Sequence, residues 1–346
     1  MRIATAIVAM LCGAIMVNGC GGGGGGSSAP SGTTGSTTGG TTGSTGGSIP
    51  HGYAVTVLPL LPSGTYTFGT AINNAGEVVG QGDSGTNTRA IAWINGHAQN
   101  LLPTGGDSAA SGVNDSGAVV GSGPGSGAFY VASGHVTAVS SGQPFSISAS
   151  GKVPLAGGLV PSIWQNGTVT FLSGLSGAES TEVTTISPNG TSAGDAVISA
   201  GNDHAVLWQG STAVDIGSLE PSGSTGIVTT WAVNDSGTVV GGSDGATGHH
   251  AFVYHAGVMT DIGTLTGMTS GDSEARAINR AGVVAGVSNS RAMVWFGGTM
   301  KDLNSLTPAG SGIFLSSATG INDSGQICGT GTVGGAQRAF LLTPTS

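Results

Sequence analysis

A basic or small residue recurs at one place in a repeated phrase of this chain, and eleven positions later a second residue changes in step with it. The first series reads Arg89, Gly127, Val160, His204, His250, Arg291 and Arg338; the second reads Asn100, Ala138, Phe171, Asp215, Asp261 and Asp302. Taken alone, two histidines and three arginines describe an anion site. The types vary together, however: a base meets Asp or Asn, Gly meets Ala, and Val meets Phe. Joint variation of this kind marks cross-strand partners on a hairpin, each base neutralised by its own unit. His204–Asp215, His250–Asp261 and Arg291–Asp302 are therefore expected to be structural pairs. They stand directly opposite only if the connecting loop has an even count. Arg338 has no such partner downstream.

The acids sort by position. Asp115, Asp235, Asp323 and Glu77 lie at or beside one recurrent turn, while Asp215, Asp261 and Asp302 lie in the strands just described. The others fall in loops: Asp83, Asp107, Glu179, Glu182, Asp195, Asp203, Glu220, Asp244, Asp272 and Glu274. If those loops share one end of the fold they form an acidic face, for which Asp83, Asp107, Glu179, Glu182, Glu220, Asp272 and Glu274 are the candidates. Paired carboxylates there could serve glycoside chemistry, but no spacing selects a pair. The Asn-Asp-Ser-Gly turns lack the further carboxylates of a calcium loop. His249, His250 and His255 have only a loose metal-ligand spacing, and His250 is already assigned to the repeat register. No Gly-x-Ser-x-Gly stands on a strand-to-helix turn. No cofactor is implied, and no catalytic or metal residue is assigned.

The elements that hold these residues are repeats. The phrase Ala-Ile-Asn-x-x-Gly-x-Val-Val-Gly appears at residues 71–80, 112–121, 232–241, 277–286 and 320–329, with weaker copies around Ser148 and Ser187. The Asn-equivalent positions Asn73, Asn114, Ser148, Ser187, Asn234, Asn279 and Asn322 are 34 to 47 residues apart. Each phrase reads strand, turn, strand, with Asn or Ser bonding its own turn and Gly in the left-handed region. A third strand such as His250–Tyr254 and a fourth such as Val258–Gly263 complete the unit. Four short strands that cannot bury their own faces imply blades stacked about an axis, an all-β seven-bladed propeller of four-stranded antiparallel blades. The last unit ends after its third strand at Phe340–Leu342. Residues 53–58 look like a fourth strand without a unit, so ring closure predicts Thr56–Val57 beside Arg338–Leu342.

His250-Ala251-Phe252, set after an Ile-Asn-Asp-x-Gly hairpin and before a Met-x-Asp-Ile/Leu-Gly strand, resembles the HAF repeats of bacterial extracellular proteins. The resemblance covers nearly all of residues 51–346. It implies export and a propeller-like fold, and brings no catalytic residues.

Composition agrees with a folded β protein. There are 67 glycines, 38% of residues are hydrophobic, only 7% are charged and mean hydropathy is +0.22, too apolar for disorder. The formal charge of −9 excludes nucleic acid as a partner. At the start of the chain, Met1-Arg2 precedes the apolar run Ile3–Val17 and Val17-Asn18-Gly19-Cys20, which resembles a bacterial lipobox. That reading makes 1–19 a lipoprotein signal peptide, Cys20 a lipidation site and 20–50 a Gly/Ser/Thr tether ahead of a propeller at 51–346. Gly21 after the Cys points to the outer membrane. Cys328, the one cysteine of the folded part, is expected to be a small buried side chain.

The expected function is a lipid-anchored, non-enzymatic binding or scaffold module of the cell envelope. Its partners would be the membrane, through the lipid, and a surface glycan or envelope protein. The alternatives are a carbohydrate-active enzyme using carboxylates on the acidic face, and a purely structural envelope protein.

Overall fold

A computed structural model describes residues 48–345 other than 140–141, 159, 200, 222–224 and 267–270. Seven antiparallel sheets follow one another along the chain, spanning residues 67–100, 109–139, 153–171, 180–217, 228–263, 273–302 and 314–345; they are blades 1 to 7 below. Six are four-stranded. The expected signal segment 1–19 and residues 20–47 of the expected 20–50 tether, Cys20 among them, lie outside the described residues.

Each inner hairpin is built by the repeated phrase. In blade 2, Asn114 Oδ1 accepts from the backbone N–H groups of Ser116 and Ala118 at 3.1 and 3.0 Å. Gly117 turns the corner at φ 76°, a conformation open to glycine at little cost. The Asn does a second job. Its Nδ2 donates to the carbonyl of Ser148 in the next blade at 3.0 Å. The same link runs from Asn73 to Asn114, from Asn234 to Asn279, from Asn279 to Asn322, and from Asn322 back to Asn73, all at 3.0–3.1 Å. Where the phrase has Ser, the hydroxyl still bonds the turn but cannot reach on. The junctions are then made by Ala149 N–H to Pro188 O and by Asn189 Nδ2 to Asp235 O, each 3.0 Å. Seven links thus close a girdle about the axis.

The closing strand is supplied by Gly52–Val57, which pairs with Ala336–Thr345 and sets Thr56 opposite Leu341 and Val57 opposite Phe340. Blade 7 also reaches blade 1 through Thr319 Oγ1 to Gly69 O at 2.9 Å. Arg338 donates to the carbonyl of Thr65 at 2.6 Å, which gives it a partner from the far end of the chain. Between blades the core is apolar, as where Val79, Ala90 and Ala92 meet Ala110, Val119 and Phe129. Cys328 is wholly buried, and burial pushes its thiol up to about 12.

Blade 3 departs from the expected four strands. Its sheet holds Val153–Leu155, Ser162–Gln165 and Thr168–Phe171, and the segment before it touches the sheet only by a Gln143–Ala156 bridge. Pro144 and Pro154 remove two ladder donors from this hairpin, which explains the loss.

Candidate functional site

The site begins with a backbone irregularity. In six inner strands a residue at one shared position is extra to the pairing with the second strand: Thr70, Ser111, Thr184, Trp231, Arg276 and Thr319, with Ser316 a second extra residue in blade 7. This β-bulge crowds the neighbouring strand, so a Cβ on Gly194 or Gly286 would overlap the carbonyl oxygen of Glu182 or Glu274. That explains the glycine of Val-Val-Gly. Bulges also re-aim side chains. Thr70 and Thr184 use their hydroxyls to bond the inner strand of the next blade, at 2.8 Å to Ala110 O and 3.0 Å to Thr230 O. Ser111 bonds Pro144 O in the same way.

Blades 5 and 6 break this pattern with Trp231 and Arg276. The Arg276 guanidinium lies 5.4 Å over the Trp231 ring, a favourable cation–π distance. It donates to Glu274 at 2.9 and 2.8 Å and to Ser317 Oγ at 3.0 Å. Glu274 faces His249 Nε2 at 4.0 Å, and His249 Nδ1 is 2.8 Å from Asp244. Two residues before its own bulge, blade 4 carries Glu182, and the register sets it opposite Asp195. Asp195 Oδ1 accepts from the N–H of Thr230 at 2.8 Å, which places this carboxyl one residue from the indole.

Four buried side-chain polar atoms lack a partner among the described residues: Glu182 Oε2, Asp195 Oδ2, Trp231 Nε1 and Tyr53 OH. Three of them belong to this one cluster. Two other indoles are satisfied, Trp93 by Pro59 O at 2.8 Å and Trp208 by Ser173 O at 3.0 Å. Asp195 is only 2% exposed. Burial pushes its carboxyl up to about 7, helped by the charges of Glu182 and Asp203 and opposed by the Thr230 hydrogen bonds. Burial also raises Glu182, against a hydrogen bond from the Gly157 backbone, and raises Asp203, with the charge of Asp244 adding to it. Burial therefore favours the protonated form of both the Glu182 and Asp195 carboxyls.

An axial cavity of about 110 Å³ opens at the opposite end, lined by the girdle asparagines with Asp115, Asp235, Asp323 and Arg280. Its acids are committed to the ring: Asp115, Asp235 and Asp323 accept the backbone N–H groups of Asn74, Asn189 and Arg280 at 2.8–2.9 Å. It reads as the structural floor of the ring.

The sequence candidates divide accordingly. His204–Asp215, His250–Asp261 and Arg291–Asp302 lie 2.9, 2.8 and 2.8 Å apart. Each acid stands opposite the residue two places after its base, namely Val206, Phe252 and Met293. The base therefore reaches it diagonally. Of the acidic-face candidates, Glu182 and Glu274 enter the inner strands. Asp83 instead caps the Thr65 and Tyr66 N–H groups at 2.5 and 2.9 Å, and Asp107 caps Thr88 at 2.9 Å. Glu179 and Asp272 sit in blade junctions, their own backbones bonded to Val197 and Asn289, and Glu220 packs beside Gly226. Trp231 and Arg276 were not singled out by sequence reasoning; Asp195 was grouped with the loop acids but lies in a strand, and His249 was weighed only for a metal. The usable signal was the position before Ala-Ile-Asn, which is Ser or Thr in most blades and Trp or Arg in two.

The chain resembles a catalytically inactive histidine-to-alanine variant of virginiamycin B lyase from Staphylococcus aureus, crystallised with quinupristin: TM-score 0.54, 10% identity, covering 84% of this chain and 99% of that one. It also resembles a gluconolactonase from Xanthomonas campestris, with TM-score 0.39, 10% identity and coverage of 81% and 87%. No protein-family model and no curated protein matches the chain. At this identity the first likeness establishes the fold, a seven-bladed β-propeller. The expectation of a non-enzymatic scaffold is corrected on this point: the propeller that the chain matches at TM-score 0.54 is a lyase, so the fold gives no ground for excluding an enzyme. No single blade holds the site, so no local catalytic motif announces it.

Proposed function

We propose that the protein is a carbohydrate-active enzyme that works by acid–base chemistry at the end of the axis opposite the girdle. The observation that carries this is the Glu182–Asp195 pair, facing carboxyls with unpartnered oxygens and an Asp pushed up to about 7. Glu182 is the more exposed member and delivers the proton to a glycosidic oxygen; Asp195 stands behind it as the reserve. Glu274, ion-paired with Arg276, is the second carboxylate. Two carboxyls whose surroundings differ in this way divide the roles of acid and base. The Trp231–Arg276 stack between them offers a surface for a sugar ring.

The test is release of reducing ends from a panel of polysaccharides. Glu182→Gln should lower the rate about 100-fold or more, and equal rates for parent and variant would refute the assignment.

The HAF-like repeats and the lipobox support a narrower setting, an HAF-repeat enzyme tethered to the envelope membrane by a lipid on Cys20 and facing an envelope glycan. Labelled palmitate should enter the chain and fail to enter Cys20→Ala. Equal labelling of both would remove the anchor from this reading.

A further inference from the structure

The imidazole of His249 lies over Gly242 in the neighbouring strand of blade 5. His249 pairs directly opposite Asp244, and a Cβ on Gly242 would overlap its Nε2 and crowd Glu274 Cγ at 3.3 Å. The same position after the shared glycine carries Gln81, Asp195, Val287 and Thr330 in blades 1, 4, 6 and 7. Gly242 thus lets an imidazole from blade 5 and a carboxylate from blade 6 converge. Both reach solvent, with 22% and 12% of their side-chain surface exposed.

Hydrogen bonding fixes what each group offers. An ionised carboxylate only accepts, so His249 Nδ1 donates to Asp244 Oδ1 at 2.8 Å. Asp244 Oδ2 accepts from the backbone N–H of Ile227 at 2.9 Å, which holds this carboxylate at both oxygens. The neutral imidazole then keeps its lone pair on Nε2, the nitrogen that faces Glu274 Oε1 at 4.0 Å. Arg276 holds Glu274 at Oε2, through Nε at 2.9 Å and Nη2 at 2.8 Å. Nε2 and Oε1 are therefore two acceptors facing each other, too far apart to bond directly. One water oxygen at about 2.8 Å from each spans that separation and gives a hydrogen to both. Its lone pairs then point away from both acceptors.

We propose that His249 Nε2 and Glu274 Oε1 hold the hydrolytic water and that His249 takes its proton. The water oxygen bonds to the anomeric carbon as the glycosidic bond breaks, and that bond's electron pair leaves on the oxygen protonated by Glu182. The proton lost by the water forms the Nε2–H bond of an imidazolium flanked by Asp244 and Glu274. It then passes to solvent, from which Glu182 regains its own. Imidazole is by nature a stronger base than carboxylate, and a carboxylate behind it stabilises the charge it gains. Asp244 is a positioning residue. The inference rests on the carbohydrate reading and refines it: Glu274 orients the water, and the base is His249.

Two readouts on the full chain test it. With nitrogen-15-labelled histidine, the neutral form of His249 should carry its proton on Nδ1. Asp244→Asn must turn its carbonyl to the Ile227 N–H and its amide hydrogens to the imidazole, so it should switch the tautomer to Nε2–H. In reducing-end release, Asp244→Asn and His249→Ala should each lower kcat about 100-fold, with KM changed by less than about twofold. Imidazole added to the buffer should restore part of the rate of His249→Ala and leave Asp244→Asn unchanged. An Nε2–H tautomer in the parent protein, an unchanged kcat in His249→Ala, or a loss that imidazole does not restore would each overturn this inference and leave the Glu182 assignment standing. No cleavage of any polysaccharide by the parent would overturn the carbohydrate reading and this inference with it.

Discussion

The two ends of the inner strands are made from the same seven repeats and do opposite things with them. At the girdle end the repeats agree: each buried Asn holds its own turn and the next blade, and no polar atom in the seven links is left over. At the other end they disagree, in adjoining blades, where Glu182 and Asp195, then Trp231, then Glu274 and Arg276 break the pattern. The difference teaches where to look in a repeat protein. Agreement between copies builds the ring, and departure from it, at one register and in neighbouring copies, builds the site.

The largest expected effect lies at the disagreeing end. Asp195→Asn keeps the acceptor for Thr230 N–H but cannot take up or release a proton, so glycan cleavage should fall about 100-fold with the fold intact by circular dichroism. Unchanged turnover would erase the contrast between the two ends.

Next comes the agreeing end. Asn279→Ala loses both the turn acceptor and the inter-blade donor and should cost about 2–3 kcal/mol by denaturant unfolding. Asn279→Ser keeps the turn, as Ser148 and Ser187 do, and should cost about 1 kcal/mol. Equal losses would mean that the link to Asn322 contributes nothing.

Stability should also depend on pH through the disagreeing end. Asp195 has a raised folded value of about 7, so the folded chain binds this proton more strongly than the unfolded chain does. The contribution is fully present below the ordinary carboxylate range and is lost as pH rises to about 7, at up to about 1.4 kcal/mol per unit. Asp195→Asn should flatten that slope.

The smallest effect belongs to the outer pairs. Asp215→Ala and Asp261→Ala break partly exposed contacts and should cost less than about 1 kcal/mol, diminishing with salt.

Much of the ring was legible because the phrase repeats: seven units, Gly at the turn, and the offset that sends residues 53–58 to complete blade 7. Blade 3 was less so, since the prolines that thin its sheet sit in its most divergent copy. The site was harder still. Glu182 and Glu274 could be grouped with other loop acids by position. Only the bulge separates them from Asp83 and Asp107, which cap backbone N–H groups at blade junctions. Asp195, Trp231 and Arg276 come from three blades, and a search for agreement passes over them.

The most direct measurement is a carbon-13 titration of the aspartate carboxyls in the full chain. One aspartate should titrate near neutral pH and disappear from the spectrum in Asp195→Asn. If every aspartate titrates below about 5, Asp195 holds no proton at working pH and the account of the site is wrong.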